Sequence, residues 1–134
     1  MHYHKYAAEF LGTFALTFVV WLSVAFAMPF PTPVVAALTL GLFVYTVGGI
    51  SGAHLNPAVS IGVYSAGKLK TNDAVFYVVC QLAGAAVAMT VGQHLWAGIR
   101  FAMSITQPIL VGAVFDHVAP RSTPTRISVP AGAR

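Results

Sequence analysis

One uncharged stretch decides how this sequence folds: Ser51-Gly52-Ala53-His54-Leu55-Asn56-Pro57-Ala58-Val59-Ser60-Ile61-Gly62. Asn56 followed by Pro57 predicts a helix start, because asparagine is a favoured N-cap and proline suits the first helical position. The helix can run over residues 57–67, just before Lys68 and Lys70. At about 1.5 Å per residue it spans about 15 Å, half the thickness of the hydrocarbon core of a bilayer.

The depth of this loop in the membrane follows from the position of Lys68 and Lys70 at the far end of the half-helix. If these two lysines lie at a membrane surface, Asn56 lies near the midplane, and residues 48–55 descend to it as non-helical chain. Such backbone is tolerated at depth only where it is buried in protein or lines a water-filled cavity. The alternative is a surface loop and an amphipathic helix, with His54 and Asn56 solvated. The uncharged loop and the apolar Val59 and Ile61 favour the first interpretation.

The composition indicates a membrane protein. Of the 134 residues, 57% are hydrophobic and 7% are charged, against about 25% charged in soluble domains. This excludes an ordinary soluble enzyme, and it excludes disorder, which needs low hydrophobicity. The net charge of +4 is spread along the chain, so we expect no nucleic-acid binding. The single cysteine, Cys80, excludes an intrachain disulfide and is expected to be a small core residue.

Three apolar runs are long enough to cross a bilayer, which takes about 20 residues. They predict helices over residues 6–28, 33–48 and 74–97, with the half-helix at 57–67. Three prolines between residues 29 and 33 separate the first two helices. The expected fold class is all-α integral membrane, with three transmembrane helices plus one re-entrant half-helix.

The first apolar run has a rival interpretation as a secretory signal peptide, with Lys5 in front and Ala25-Phe26-Ala27 as a cleavage site. Glu9 interrupts the apolar region and further spans follow, so a retained helix is favoured. Residues 1–99 contain these predicted helices, and residues 100–115 are a short apolar segment, expected as an interfacial segment, a loop or an incomplete helix. Residues 116–134 are polar and predict a disordered tail.

Residues Ser51–Gly62 resemble the first Asn-Pro-Ala loop of the aquaporin and glycerol-facilitator channels, the major intrinsic protein family. Ala8–Phe14 is similar to the start of that family's first helix, and Tyr77 with Gln81–Ala85 to its third. The resemblance covers about residues 5–95. It implies one of the two inverted repeats that build a full-length member, and therefore half of an aquaporin-like bundle.

The resemblance also implies roles for individual residues. Asn56 would donate its amide hydrogens to a passing solute, Pro57 would fix the helix start and Ala58 would keep the contact small. A ladder of acceptors would come from the backbone carbonyls of Gly52, Ala53, His54 and Leu55. Glu9 would bind loop amides near His54; the alternative is that Glu9 lies in the headgroup region. Independently of the resemblance, Gln81 lies on a narrow face of small residues on the third helix, so we expect it to have a structural role.

The second Asn-Pro-Ala loop and its following arginine have no counterpart in this sequence. We therefore expect a half-channel for water or small neutral solutes, completed by a second half-unit, with a homo-oligomer as the expected assembly in a lipid bilayer. The alternative is a non-transporting membrane protein, either truncated or an interaction module. No nucleophile–base pair or metal constellation is evident, so neither an enzyme nor a cofactor is expected.

Lysine and arginine near helix ends set the direction of insertion. With three spans, three lysines share one side and four arginines the other, a near balance that permits dual orientation. If residues 101–115 formed a fourth span, the three tail arginines would join the three lysines on one side and leave Arg100 alone on the other. That count of six against one would fix a single orientation. The expected location is the inner or plasma membrane, with the N-terminus cytoplasmic in at least one orientation.

Overall fold

The computed structural model describes the backbone of residues 3–118 and the side chains of residues 3–104. Its four helices are α1 (Tyr3–Ala25), α2 (Thr32–Ser51), α3 (Pro57–Ser65) and α4 (Thr71–Val118). Residues 3–118 contain no β-strand. Within the described residues, the segments long and apolar enough to cross a membrane are Tyr3–Ala25, Thr32–Ser51 and Thr71–Ser104. The prediction of an all-α membrane protein is confirmed.

The ends of α1 and α3 are set by single residues in the left-handed conformation. After α1, the amide of Met28 donates to the carbonyl of Ser23 and that of Ala27 donates to Val24, with Ala27 at φ 44°. This is the Schellman arrangement, which satisfies carbonyls that a helix end leaves unpaired. It ends α1 three residues before the expected position 28. Gly67, at φ 69°, has the same role after α3.

The second helix continues through Gly48 and Gly49 to Ser51, past its expected end at residue 48. An apolar helix accommodates glycine at a cost of about 1 kcal/mol each, so two glycines do not suffice to end it. The stop comes at Gly52, which has φ 90° and donates its amide to the carbonyl of Gly48 at 2.9 Å. The non-helical segment before α3 is therefore only five residues long, from Gly52 to Asn56.

The fourth helix continues past its expected end at residue 97, and residues 100–115 are helical throughout. Arg100 brings a charge into the apolar run, but arginine is a good helix former and does not end a helix. Of the expected disordered tail, residues 116–118 belong to α4 and residues 119–134 lie outside the described residues. The chain divides into two compact units, Met1–Gly98 and Ile99–Arg134; the packing and the site described below lie in the first.

Within Met1–Gly98, α1 and α4 run side by side in the same direction. At their beginnings, Asp73 accepts a hydrogen bond from Tyr6 at 2.7 Å and pairs with Lys5 at 3.3 Å. Further along, the backbone of Phe10 lies directly against Gly84. Contacts between the two helices continue along their length, with the Trp21 ring against Gly92 and the Phe26 ring 5.3 Å from that of Trp96. Small residues on α4 make this close approach possible.

The second helix runs antiparallel to the first. Ser23 near the end of α1 lies 3.1 Å from the hydroxyl of Thr32 at the start of α2, and Ser51 at the end of α2 reaches Glu9 near the start of α1. The short α3 then turns back towards the end of the bundle where α4 begins. Its Ser60 contacts Gln81, about 15 Å along α4 from Thr71, so α3 starts near mid-span.

The contact at Gly84 predicts a specific sensitivity to substitution. A Cβ atom at Gly84 would collide with the carbonyl oxygen of Phe10, whereas a Cβ at Gly41 of α2 meets nothing within 4 Å. We expect Gly84→Ala to lower the free energy of unfolding by about 1–3 kcal/mol. Gly41→Ala is expected to be neutral or to stabilise by up to about 1 kcal/mol. Unfolding titrations in mixed micelles measure both, and equal stability of the two variants would contradict this packing.

Candidate functional site

The five-residue loop between α2 and α3 has an unusual backbone. Gly52 at φ 90° can adopt the left-handed region without strain, but Ala53 and Leu55 also have positive φ, at 47° and 48°. Non-glycine residues in this region cost of order 1–3 kcal/mol each and persist only where the surroundings hold them. The loop therefore needs strong external contacts.

The carboxylate of Glu9 provides these contacts. Its Oε1 accepts hydrogen bonds from the Ser51 hydroxyl at 2.6 Å and from the amide of His54 at 2.9 Å. Its Oε2 accepts from the amide of Leu55 at 2.7 Å and from Nε2 of Gln81 at 2.8 Å. The side chain is completely buried. A charge inside a membrane protein is costly unless it is paired or hydrogen-bonded, and these four donors satisfy the carboxylate.

A second layer of polar side chains connects this carboxylate to α3. The amide nitrogen of Gln81 also donates to the Ser60 hydroxyl at 2.9 Å, and that hydroxyl lies 3.1 Å from Nδ1 of His54. Tyr77 donates its hydroxyl to the carbonyl of Ser51 at 2.7 Å, and its ring packs edge-on against His54. Gln81, Ser60 and Tyr77 are all buried. Loop, half-helix and α4 thus form one hydrogen-bonded network.

Leu55 fixes the loop from its apolar side. Its side chain is buried against Gly12 of α1, where a Cβ would collide with it. The amide of Ala53 donates to the Ser51 hydroxyl at 3.0 Å. Every loop amide from Gly52 to Leu55 is therefore bound to protein.

The carbonyl side of the loop is different. Among the described residues, no hydrogen bond reaches the backbone oxygens of Gly52, Ala53, His54 and Leu55. Backbone carbonyls are obligatory acceptors that need a partner, whether protein or solvent. A donor for these four oxygens must therefore come from outside the described residues.

The N-terminus of α3 is exposed. Asn56 caps the helix with its side-chain oxygen, which accepts from the amide of Ala58 at 2.8 Å, and Pro57 takes the first helical position. The Asn56 amide group donates to no residue in the described part of the chain. Asn56 and Ala58 are exposed, and Pro57 is half-buried. The N-terminal end of a helix carries about half a positive elementary charge, so this end of α3 repels cations.

The structure places all the residues singled out from the sequence in one region. Gly52, Asn56 and Ala58 are exposed, while the side chains of Ala53 and Leu55 are buried, so these two can offer only their backbone carbonyls. The same holds for His54, whose ring is engaged by Ser60 and Tyr77.

Three residues of the network were missed as site residues: Ser51, Ser60 and Tyr77. Hydroxyl groups in uncharged, membrane-embedded segments are the signal that could have identified them, because a buried hydroxyl requires a partner. Two further buried oxygens, Thr13 Oγ1 and Gln81 Oε1, have no hydrogen-bond partner among the described residues. No cluster of histidine, cysteine or acidic side chains able to hold a metal occurs in that part of the chain.

The fold and the site define a multi-pass integral membrane protein in which a half-length helix begins at mid-span from a loop held by a buried carboxylate. A model of the major intrinsic protein family matches residues 1–113. The chain belongs to this family.

Curated relatives extend the comparison. The chain is 44% identical over 96 residues to Aquaporin Z of Brucella melitensis, covering 66% of this chain and 42% of that protein. It is 39% identical over 95 residues to Aquaporin Z of Photorhabdus laumondii, covering 65% and 41%. It is 41% identical over 86 residues to the glycerol uptake facilitator protein-like 6 of Lactiplantibacillus plantarum, covering 63% and 40%. The chain thus spans about two-fifths of the length of the curated relatives it matches.

The network predicts graded effects of substitution at Glu9. Glu9→Leu removes the acceptor of four buried donors, each of which costs about 1–3 kcal/mol when left unpaired. We expect a loss of about 4 kcal/mol or more in the free energy of unfolding. Glu9→Gln keeps one acceptor oxygen, and we expect about half that loss.

Thr13→Val is the matched control for Glu9. Thr13 lies one turn further along α1 and is also buried, but its hydroxyl has no partner in the described residues. Removing an unpaired buried hydroxyl should be neutral or stabilising by about 1 kcal/mol. Unfolding titrations in mixed micelles rank the variants; equal stability of Glu9→Leu and Thr13→Val would show that the carboxylate does not hold the loop.

Proposed function

We propose that this chain forms half of a transmembrane channel for water or small neutral solutes, and that a second half-unit completes the pore. This proposal is carried by the four loop carbonyl oxygens and the side-chain amide nitrogen of Asn56, none of which has a hydrogen-bond partner among the described residues. Together they offer acceptors and a donor at the depth where α3 begins. The family consists of channels rather than enzymes, which agrees with transport as the activity.

Each proposed site residue has a physical role. The carbonyls of Gly52, Ala53, His54 and Leu55 accept hydrogen bonds from a file of solute molecules. Asn56 donates to the solute at the start of α3, Pro57 fixes that start, and Ala58 leaves room beside it. The positive end of α3 opposes the passage of cations and protons. Glu9 and Gln81 position the loop and have no contact with the solute.

Exposure at the half-helix supports a second unit. Asn56, Ala58 and Val59 are exposed at the N-terminal end of α3. Polar groups at mid-membrane must be buried in protein or line a water-filled cavity, so a further wall is required on this side. We propose that a second copy supplies this wall with its own half-helix. Because the repeats of such channels are inverted, the two copies would insert in opposite directions.

A change of charge at Asn56 tests the channel. Asn56→Asp keeps a good helix cap, but the carboxylate loses both amide donors and places a charge at mid-membrane. In liposomes of the purified chain, we expect osmotic water permeability, measured by stopped-flow light scattering, to fall about tenfold or more. Asn72→Asp is the control: it makes the same change at an exposed position at the start of α4 and should leave permeability unchanged.

Two results would contradict the channel. Wild-type liposomes that shrink no faster than empty ones would favour a non-transporting membrane protein. Equal permeability of Asn56→Asp and Asn72→Asp would remove Asn56 from the solute path.

Antiparallel pairing makes a separate prediction about orientation. In a Cys80→Ala background, single cysteines are introduced by Ser65→Cys at the end of α3 and by Pro31→Cys between α1 and α2, both at exposed positions. We expect an impermeant thiol reagent outside sealed vesicles to label about half of each cysteine, because copies inserted both ways present each site on both faces. Full labelling at one site with none at the other would rule out antiparallel pairs.

A further inference from the structure

A groove separate from the loop network lies between α3 and the first turns of α4. Its volume is about 290 Å³. The apolar side chains that line it are Ile61, Ala74, Val75, Val78 and Val79. Ile61, Val75 and Val79 are more than half exposed, whereas Ala74 is buried and belongs to its floor. The described part of the chain therefore leaves this apolar surface open.

One end of the groove is polar and cationic. The hydroxyls of Tyr64 and Thr71, both lining residues, lie 3.4 Å apart at the connection between α3 and α4. That connection carries Lys68 and Lys70, which are both exposed. Lys5 is salt-bridged to Asp73, but neither Lys68 nor Lys70 forms a salt bridge within residues 3–104. Two lysines without a salt bridge thus stand beside the opening of an apolar groove.

We propose that this groove binds an acyl chain of an anionic phospholipid, whose phosphate is held by Lys68 and Lys70. Basic pockets between transmembrane helices are suited to acidic lipid head groups. The hydroxyls of Tyr64 and Thr71 stand where the polar ester region of the lipid would lie.

The dimensions of the groove favour a lipid chain as its occupant. From Thr71 to Val79 the groove follows α4 for about 12 Å, close to the 15 Å or so of one leaflet of the hydrocarbon core. An extended acyl chain can therefore lie along this length of the open groove, against the exposed side chains of Ile61, Val75 and Val79.

Quenching of tryptophan fluorescence by brominated lipids tests the proposal at the groove itself. The native Trp21 and Trp96 are replaced by phenylalanine, and a single tryptophan is introduced by Tyr64→Trp. Val87→Trp in the same background is the control, because Val87 is exposed on α4 outside the groove. The full chain is reconstituted in vesicles of equal phosphatidylglycerol and phosphatidylcholine, with only one of the two lipids brominated.

We expect the tryptophan at position 64 to be quenched more strongly by brominated phosphatidylglycerol than by brominated phosphatidylcholine, and the tryptophan at position 87 to show no preference. Lys68→Gln and Lys70→Gln should each reduce the preference about fivefold. Arg100→Gln, which removes the same charge from α4 far along the chain from the α3–α4 connection, should leave the preference unchanged. Both lysines are exposed and outside the network that holds the fold, so these variants keep the fold intact.

Three results would overturn the proposal. Equal quenching by both lipids at position 64 would mean that the groove has no preference for anionic lipid. Quenching by neither lipid at position 64, with normal quenching at position 87, would mean that protein, such as a second copy, covers the groove. A preference that survives both lysine substitutions would mean that the phosphate binds elsewhere.

Discussion

The buried carboxylate of Glu9 is the interaction on which the rest of the site depends. It accepts hydrogen bonds from the end of α2, from two loop amides and from α4. A charge enclosed in this way is stable only while its donors remain in place, and the donors remain satisfied only while the charge is there. One side chain of α1 therefore sets the positions of three other parts of the chain, and its removal affects all of them together.

This arrangement explains how a strained loop can persist. Ala53 and Leu55 adopt left-handed backbone conformations that alanine and leucine otherwise avoid. The hydrogen bonds to Glu9 and to Ser51 offset that cost by binding the loop amides. Once the amides are bound on one side, the carbonyls are the loop groups that no described residue binds. The strain, the buried charge and the proposed row of acceptors are thus consequences of a single geometry.

Close packing of α1 and α4 is the second requirement. Gln81 can reach the carboxylate of Glu9 because Gly84, one turn further on, lets the two backbones approach each other. The same helices bring Lys5 and Asp73 together at the end where α3 returns. The half-helix therefore has two distinct ends, a capped N-terminus at mid-span and a cationic connection near the start of α4. The proposed solute site is at the first end, and the proposed lipid site is beside the second.

The class of the protein, the apolar spans and the start of the half-helix at Asn56-Pro57 could all be predicted from the sequence, because hydropathy, proline and N-cap chemistry act over a few neighbouring residues. The end of α2 at Gly52 and the continuation of α4 past Arg100 were misplaced, because propensity allows either outcome at both positions. The roles of Ser51, Ser60 and Tyr77 depend on contacts between distant parts of the chain. Their partners lie between 21 and 42 residues away for Ser60 with Gln81, Tyr77 with Ser51 and Ser51 with Glu9. Hydrogen bonds over such separations depend on how the helices pack, which local sequence patterns do not specify.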